Sequence, residues 1–369
     1  MTPDTPHSLR DTQGRRWPVI DGIVFARASR PDLAAEALAL LDAGQREAAL
    51  VLLLADQDDW WRGPTAEPEA LRRLVRERDT LTLRDAMGLL AWGPVADYFA
   101  HRWSDPTFLA GLALMEAHWA SPRSAFELAC GIGHYLRALS QRGVAVAGAD
   151  VVFAKLWVAR HWVAPEAELI CLDAAMEPWP IAEDRRFDLV ACHDAFYFLE
   201  PKGPILARLR RMAGDGGLLT IGHVHNSEWP NLSAGAALDA EALATLFPDG
   251  TVYDDAELTR AAIEQRAPCP AAPAALRGAE AFSVVAGPAA APPRIVEGLL
   301  ALPLAGAALR RNPLYRDGAI VWPSERYGRE YGPRATYPAH STVPDRATAG
   351  PQTAGLALRR ELLDLPERW

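Results

Sequence analysis

Four acidic residues recur at the ends of apolar segments between residues 124 and 225, and their surroundings suggest what each could do. Glu127 lies in Phe126-Glu-Leu-Ala-Cys-Gly-Ile-Gly-His134, and Asp150 closes Val144-Ala-Val-Ala-Gly-Ala-Asp150. Asp173 follows Leu169-Ile-Cys-Leu172, and Asp194 follows Phe187-Asp-Leu-Val-Ala-Cys-His193. Gly131 and Gly133 let the chain turn sharply and approach a ligand, and a helix opening behind them offers free backbone N–H groups. A carboxylate at 150 can accept both hydroxyls of a ribose, one at 173 can accept from an exocyclic amine, and Glu127 can meet a cationic group. A lone strand-end acid is ordinarily just solvated. Four in this order, each after its own strand, argue for one crevice at the carboxyl ends of a parallel sheet.

Histidine is the natural proton acceptor near neutral pH. His193 stands beside Asp194, while His223 and His225 close Leu218–His225, where alternation puts both on one face. His225 is the first choice for a catalytic base, with His193 and His223 behind it; the competing role for each is a hydrogen-bonded structural histidine. A metal site can be drawn from His193, Asp194, His223 and His225, but the spacing does not demand one and none is assigned.

These groups need strands to carry them. Apolar segments at 125–130, 144–150, 168–172, 187–193 and 217–224 alternate with helical ones, and a last strand is expected at Ala281–Ala286. That alternation predicts an α/β fold, a parallel sheet with helices on both faces. Upstream, Trp17-Pro-Val-Ile-Asp-Gly-Ile-Val-Phe25 reads as a β-hairpin turning at Asp21-Gly22. Helices are expected over Asp32–Asp42 and Glu47–Ala55, and three helical pieces over 68–119. The Asp56–Pro64 stretch breaks the pattern, and its Trp60 and Trp61 read as core or interface residues. Tyr98-Phe-Ala-His-Arg-Trp103 reads equally well as a cap over the site or as an amphipathic helix packed on the sheet.

The constellation resembles the class I S-adenosylmethionine-dependent methyltransferases. Glu127-Leu-Ala-Cys-Gly-Ile-Gly133 is similar to the family's first motif, with Ala129 where a glycine is usual; Gly148-Ala-Asp150 is similar to its ribose-binding acid. Asp173-Ala174, followed by Met176-Glu-Pro-Trp-Pro180, is similar to the adenine-side motif. Phe187–Leu199 and Leu209–Thr220 resemble the segments that close the methionine side and form the fifth strand. The resemblance spans about residues 124–286. It implies a Rossmann-like methyltransferase sheet and S-adenosyl-L-methionine as cofactor, bound by Glu127, Ala129, Cys130, Gly131, Gly133, Asp150, Val151, Asp173, Ala174, His193 and Asp194. Leu136, where a dinucleotide fold wants a third glycine, speaks against the alternative of a nicotinamide-dependent oxidoreductase.

Length and composition frame this reading. At 369 residues the chain exceeds one core's usual growth, so about a hundred residues should lie outside the catalytic unit. The expected division is a hairpin segment at 1–30, a helical cap region at 31–123, the cofactor-binding domain at 124–287 and a C-terminal extension at 288–369. A formal charge of −9 counts against a nucleic-acid partner. Four cysteines without a CxxC pair give neither a disulfide framework nor a zinc ribbon. No apolar run reaches membrane-spanning length and no secretory signal is visible, so the expectation is a cytoplasmic protein. The hairpin at Trp17–Val24 is similar to that of zinc-ribbon-like domains accompanying some RNA methyltransferases, which implies at most a metal-free remnant. Asn312–Tyr327 could form a second hairpin pairing with the first, its aromatics and arginines able to bind a substrate or a partner chain but serving mainly surface packing, and Pro338–Gln352 reads as loop. The expected substrate is a small molecule or biosynthetic intermediate methylated on oxygen, or next on nitrogen, with a homodimer left open. RNA or protein methylation and a non-catalytic cofactor-binding module are the alternatives.

Overall fold

A computed structural model describes residues 1–230, 235–287 and 292–369; Pro288, at the expected start of the C-terminal extension, lies outside them. The backbone of the fold is an eleven-stranded sheet among the described residues. In chain order its strands are β1 (Thr2–Thr5), β2 (Ser8–Arg10), β3 (Arg16–Ile20), β4 (Ile23–Ala26), β5 (Ser124–Leu128), β6 (Ala145–Asp150), β7 (Glu168–Leu172), β8 (Leu189–His193), β9 (Leu218–His225), β10 (Thr251–Asp254) and β11 (Ala281–Ala286). Their order across the sheet is β1-β2-β3-β4-β7-β6-β5-β8-β9-β11-β10. The run from β4 through β9 is parallel, and β11 and β10 close one edge antiparallel. The chain order reverses between β5 and β8, which is where an open α/β sheet leaves a crevice for ligands.

Both faces are covered, as the near-continuous apolar strands require. In β5, Phe126 and Leu128 enter one core, while Ala125 enters the other. That alternation sends Glu127 to the face roofed by helices from the N-terminal third. These are α1 (Pro31–Asp42), α2 (Arg46–Leu54), α3 (Pro68–Glu77), α4 (Leu83–Leu89), α5 (Pro94–His101) and α6 (Pro106–Ala117). Residues 68–119 therefore hold four helices and not three: Thr82 caps α4 with a reciprocal Asp85 hydrogen bond that splits the run. Within and beyond the sheet come α7 (His134–Ser140), α8 (Phe153–Val158), continued by a π-turn at Ala159–Val163, α9 (Lys202–Ala213), α10 (Ala240–Leu246) and α11 (Asp255–Glu264).

The Trp17–Phe25 hairpin forms as expected, but it extends the main sheet. Its turn residues Asp21 and Gly22 both have positive φ (53° and 73°), and β4 then runs parallel to β7, with Phe25 opposite Cys171. Asp21 fastens this edge. Its carboxylate accepts from Trp157 Nε1 (2.7 Å) and His161 Nε2 (3.1 Å) and pairs with Arg46. Burial alone would raise the Asp21 carboxyl, yet these partners hold it at about 2. A depressed folded-state pKa contributes stability above the unfolded value near 4 that is lost as pH falls toward 2. Asp21→Asn should therefore cost about 2 kcal/mol at neutral pH and much less at pH 2, read from urea melts at both. An equal cost at both pH values would dismiss the electrostatic account.

The C-terminal extension returns over the site. It contains β12 (Ala308–Arg311), β13 (Tyr315–Arg316), β14 (Ala319–Ile320), α12 (Glu325–Tyr331), β15 (Arg346–Thr348), α13 (Ala354–Leu358) and β16 (Leu362–Leu363). The second hairpin, β13–β14, forms a separate two-stranded sheet, with Ala319 bridging to His340, and does not pair with the N-terminal one. The expected loop at 338–352 includes β15, which joins β12 and β16 in a small sheet.

Candidate active site

The carboxyl ends of β5, β6, β7 and β8 open into a cavity of about 520 Å³, a typical size for a small-molecule site. Glu127, Ala129, Cys130, Gly131, Asp150, Val151, Asp173, Ala174, His193 and Asp194 all line it. Gly133 does not. Its φ of 85° opens α7, and a Cβ there would meet Ala164 and Ala159 side chains, so this glycine is required by helix packing. Gly131, at φ 56°, faces the cavity, and a Cβ there would lie 3.1 Å from Phe99.

Ala129 also adopts a left-handed conformation (φ 57°), which explains why glycine is the usual residue of the motif. Ala129→Gly should stabilise the protein by about 0.5–1 kcal/mol in a denaturant melt, the relief of strain outweighing the added unfolded-state freedom. A loss of stability would mean that the Ala129 methyl packs better than it strains.

Asp150 is a hub of the turn. Its Oδ2 accepts from Gly131 N (3.0 Å) and its Oδ1 from Val152 N (2.9 Å), with Lys155 Nζ 3.7 Å away. Glu127 is buried, and its Oε2 has no hydrogen-bond partner. Burial pushes the Glu127 carboxyl well above the usual range; Arg102 opposes the shift and Asp150 adds to it. Asp173 lines the cavity, but its oxygens already accept from Ser29 N (2.8 Å), Ser29 Oγ (2.8 Å) and Arg27 Nε (3.3 Å). The N-terminal segment is thus tied to the residue expected to meet an exocyclic amine.

At the other end of the cavity Asp194, at φ 54°, accepts from Tyr98 OH (2.7 Å) and Tyr197 OH (3.0 Å) and lies 3.1 Å from Arg102. Burial alone would raise the Asp194 carboxyl, yet Arg102, His223, His225 and the Tyr98 hydroxyl hold it below its ordinary value. Arg102 is itself buried and also pairs with Asp105 at 2.9 Å. His193 packs edge-on to Tyr135 and shares a hydrogen bond with Thr220; burial lowers its pKa to about 3.

His223 and His225 share a face as expected, their rings 4.8 Å apart, but neither lines the cavity. They stand behind Asp194. His223, at φ 52° in a bulge of β9 opposite Ser283, directs Nδ1 to Asp255 Oδ2 (2.6 Å) and Nε2 toward Asp194 Oδ1 (3.9 Å). Burial, reinforced by neighbouring His223, lowers the pKa of His225 to about 4.

Tyr98, Phe99 and Arg102 from α5 and the turn after it line the cavity, so this helical segment acts as a cap. Trp60, expected at a core or interface position, is 52% exposed at the mouth beside Phe198. The sequence reading missed the helix α12 with its Glu330 and Tyr331, and gave Arg326 and Tyr327 mainly to surface packing; all four form a wall. The Tyr327 and Tyr331 spacing was the available signal, since i and i+4 share a helix face. It also missed Asp255, which follows the unpredicted strand β10.

A family model described as a methyltransferase domain matches residues 126–221, the segment that carries all four strand-end acids. These residues are a class I S-adenosylmethionine-dependent methyltransferase domain. The ubiquinone biosynthesis O-methyltransferase of Pseudomonas aeruginosa is 26% identical over 167 residues, covering 41% of this chain and 69% of that one. Its namesake from Alkalilimnicola ehrlichii is 28% identical over 130 residues, covering 35% of this chain and 52% of its own length. Among solved structures, a TehB-like S-adenosylmethionine-dependent methyltransferase from Corynebacterium glutamicum is 18% identical, with a TM-score of 0.37 over 53% of this chain and 99% of that one. The PH0226 protein from Pyrococcus horikoshii is 27% identical, with a TM-score of 0.26 over 29% of this chain and 48%, about half, of its own.

The methyl donor of the methyltransferase domain is S-adenosylmethionine, and the cavity fits it. The unpartnered Glu127 oxygen and the acid-rich lining suit a cationic ligand, and the Gly131 turn leaves room for close backbone approach. No helix among the described residues is long and apolar enough to cross a membrane.

Proposed function

We propose that the protein transfers a methyl group to an oxygen, or next a nitrogen, of a small molecule seated in the aromatic half of the cavity. The observation that carries this reading is the enclosure of that half by Trp60, Tyr98, Tyr197, Phe198, Tyr327 and Tyr331, contributed by four separate segments. Walls assembled this way suit a compact, partly apolar acceptor better than an extended polymer. The acid-rich lining also disfavours a polyanion. The names of the curated relatives, both O-methyltransferases, support oxygen as the acceptor atom.

When bound, S-adenosylmethionine supplies an electrophilic methyl group on a sulfonium. Asp150 and the Gly131 turn would hold the nucleoside end, and Glu127 the cationic methionine end. Tyr98, Tyr197 and Asp194 would set the acceptor's approach for in-line displacement, where most of the rate comes from positioning. Of the three candidate histidines, His193 serves packing in this reading. Acceptor activation falls to Asp194, which faces the cavity with His223 and His225 behind it.

Two measurements test the proposal. Calorimetry should give one binding event with S-adenosylmethionine; no heat at tenfold excess over micromolar protein would sink the donor assignment. Incubation with methyl-labelled donor and an extract of the source cells should then place label in the low-molecular-weight fraction. Label found only in RNA or protein would refute the small-molecule reading.

A further inference from the structure

Asp194, His223 and His225 each offer a ligand atom, and these atoms lie within 4.8 Å of one another. We infer that this cluster binds one divalent transition-metal ion, of the zinc, iron(II) or cobalt(II) class, at the acceptor end of the cavity. The methyl-transfer role given to the ion rests on the proposed function above; the site itself does not.

The first support is the chemistry and orientation of the ligands. Two imidazoles and one carboxylate are a borderline donor set that suits transition metals better than calcium or magnesium. His223 donates Nδ1–H to Asp255, which also accepts from Ser283 Oγ at 2.5 Å. Metal-binding histidines are commonly fixed by such a carboxylate, which sets the tautomer and leaves Nε2 unprotonated. Here that Nε2 points at Asp194 Oδ1, which accepts one hydrogen bond, from Tyr197 OH, while Tyr98 and Arg102 both take Oδ2. His225 is buried, and its Nδ1 has no partner.

The second support is charge. Asp105, Asp194 and Asp255 are all buried carboxylates, with side-chain exposures of 0%, 8% and 1%. One buried guanidinium, Arg102, is paired with two of them. Arg334 stands further out and is paired with Glu280. Buried charges must be compensated, and a divalent ion between Asp194 and the two neutral imidazoles brings this group to balance.

The ion would be held by Asp194, His223 and His225 behind the cavity wall formed by Asp194 and Tyr197, and from there its positive field would favour loss of the hydroxyl proton of an acceptor on the cavity side of Asp194. The acceptor loses its proton to solvent. The new carbon–oxygen bond forms as the carbon–sulfur bond breaks, and the electron pair passes to sulfur.

Elemental analysis of the full-length protein, purified without chelator, should find about one equivalent of a transition metal. After chelation, titration with cobalt(II) should produce visible d–d absorption saturating near one equivalent. His225→Ala should abolish that band. Asp255→Asn, which spares the ligands, should weaken cobalt affinity about 10–100-fold. Calorimetry with S-adenosylmethionine on the same preparations checks folding and the donor reading independently. Metal-free protein that gives no cobalt band, while still binding the donor, would overturn the inference. Nitrogen-15 NMR showing His223 as an imidazolium bridging Asp194 and Asp255 would overturn it equally.

Discussion

Asp150→Ala will reduce S-adenosylmethionine affinity roughly a hundredfold or more, since hydrogen bonds to a charged group contribute about 1.5–3 kcal/mol each. Two effects combine. The carboxylate can accept from a ribose, and it also holds the glycine turn through Gly131 N and the start of the next segment through Val152 N. Alanine removes the acceptor and releases both backbone groups. Asp150→Asn separates these contributions, because its amide oxygen can keep one backbone bond without the charge. Calorimetry should show little heat for alanine and a weakened isotherm for asparagine, with both variants melting cooperatively. Unchanged affinity in Asp150→Ala would remove Asp150 from the site.

Arg102→Met will be the most destabilising single change near the cavity, costing about 3–5 kcal/mol by denaturant melt. The guanidinium is 3% exposed, pairs with Asp105 and Asp194, hydrogen-bonds to Thr107, and lies over the Tyr98 ring. Methionine preserves much of the volume, so the loss comes from two buried carboxylates left without their cation. Arg102→Met with Asp105→Asn should recover part of it, because one stranded charge is then gone. A cost below about 1 kcal/mol, the range of an exposed pair, would show that water reaches these carboxylates.

Much of the catalytic sheet was legible because its evidence is local. Each strand from Ser124 to His225 is a short apolar run with an acid or histidine at its last residue or one position from it, and those ends are what the parallel sheet brings together. The glycine pattern was less transparent. Gly131 and Gly133 look equivalent in sequence, but one faces the cavity and the other Ala164, a distinction made by the π-turn after α8. His223 and His225 were correctly placed on one face. Which side of the wall they occupy depends on the β9 bulge and on Asp255, a residue 32 positions away. Long-range partners leave no periodic trace. For that reason Arg27 at Asp173, Trp60 at the mouth and the α12 wall stayed hidden, each reaching the site from a segment whose own pattern is complete without it.

The return of α12 over the cavity has a consequence for synthesis. Arg27 and Tyr331 both border one chamber, so the acceptor compartment has no complete wall until more than three hundred residues have been made and folded together. Translation at about 5–20 residues per second puts at least fifteen seconds between the first and last of these side chains. A ribosome-bound chain would by then have displayed its donor-binding strands for several seconds with no acceptor chamber. Donor capture can thus precede transfer competence in the life of each molecule, and a nascent chain holding its cofactor would have nothing to methylate.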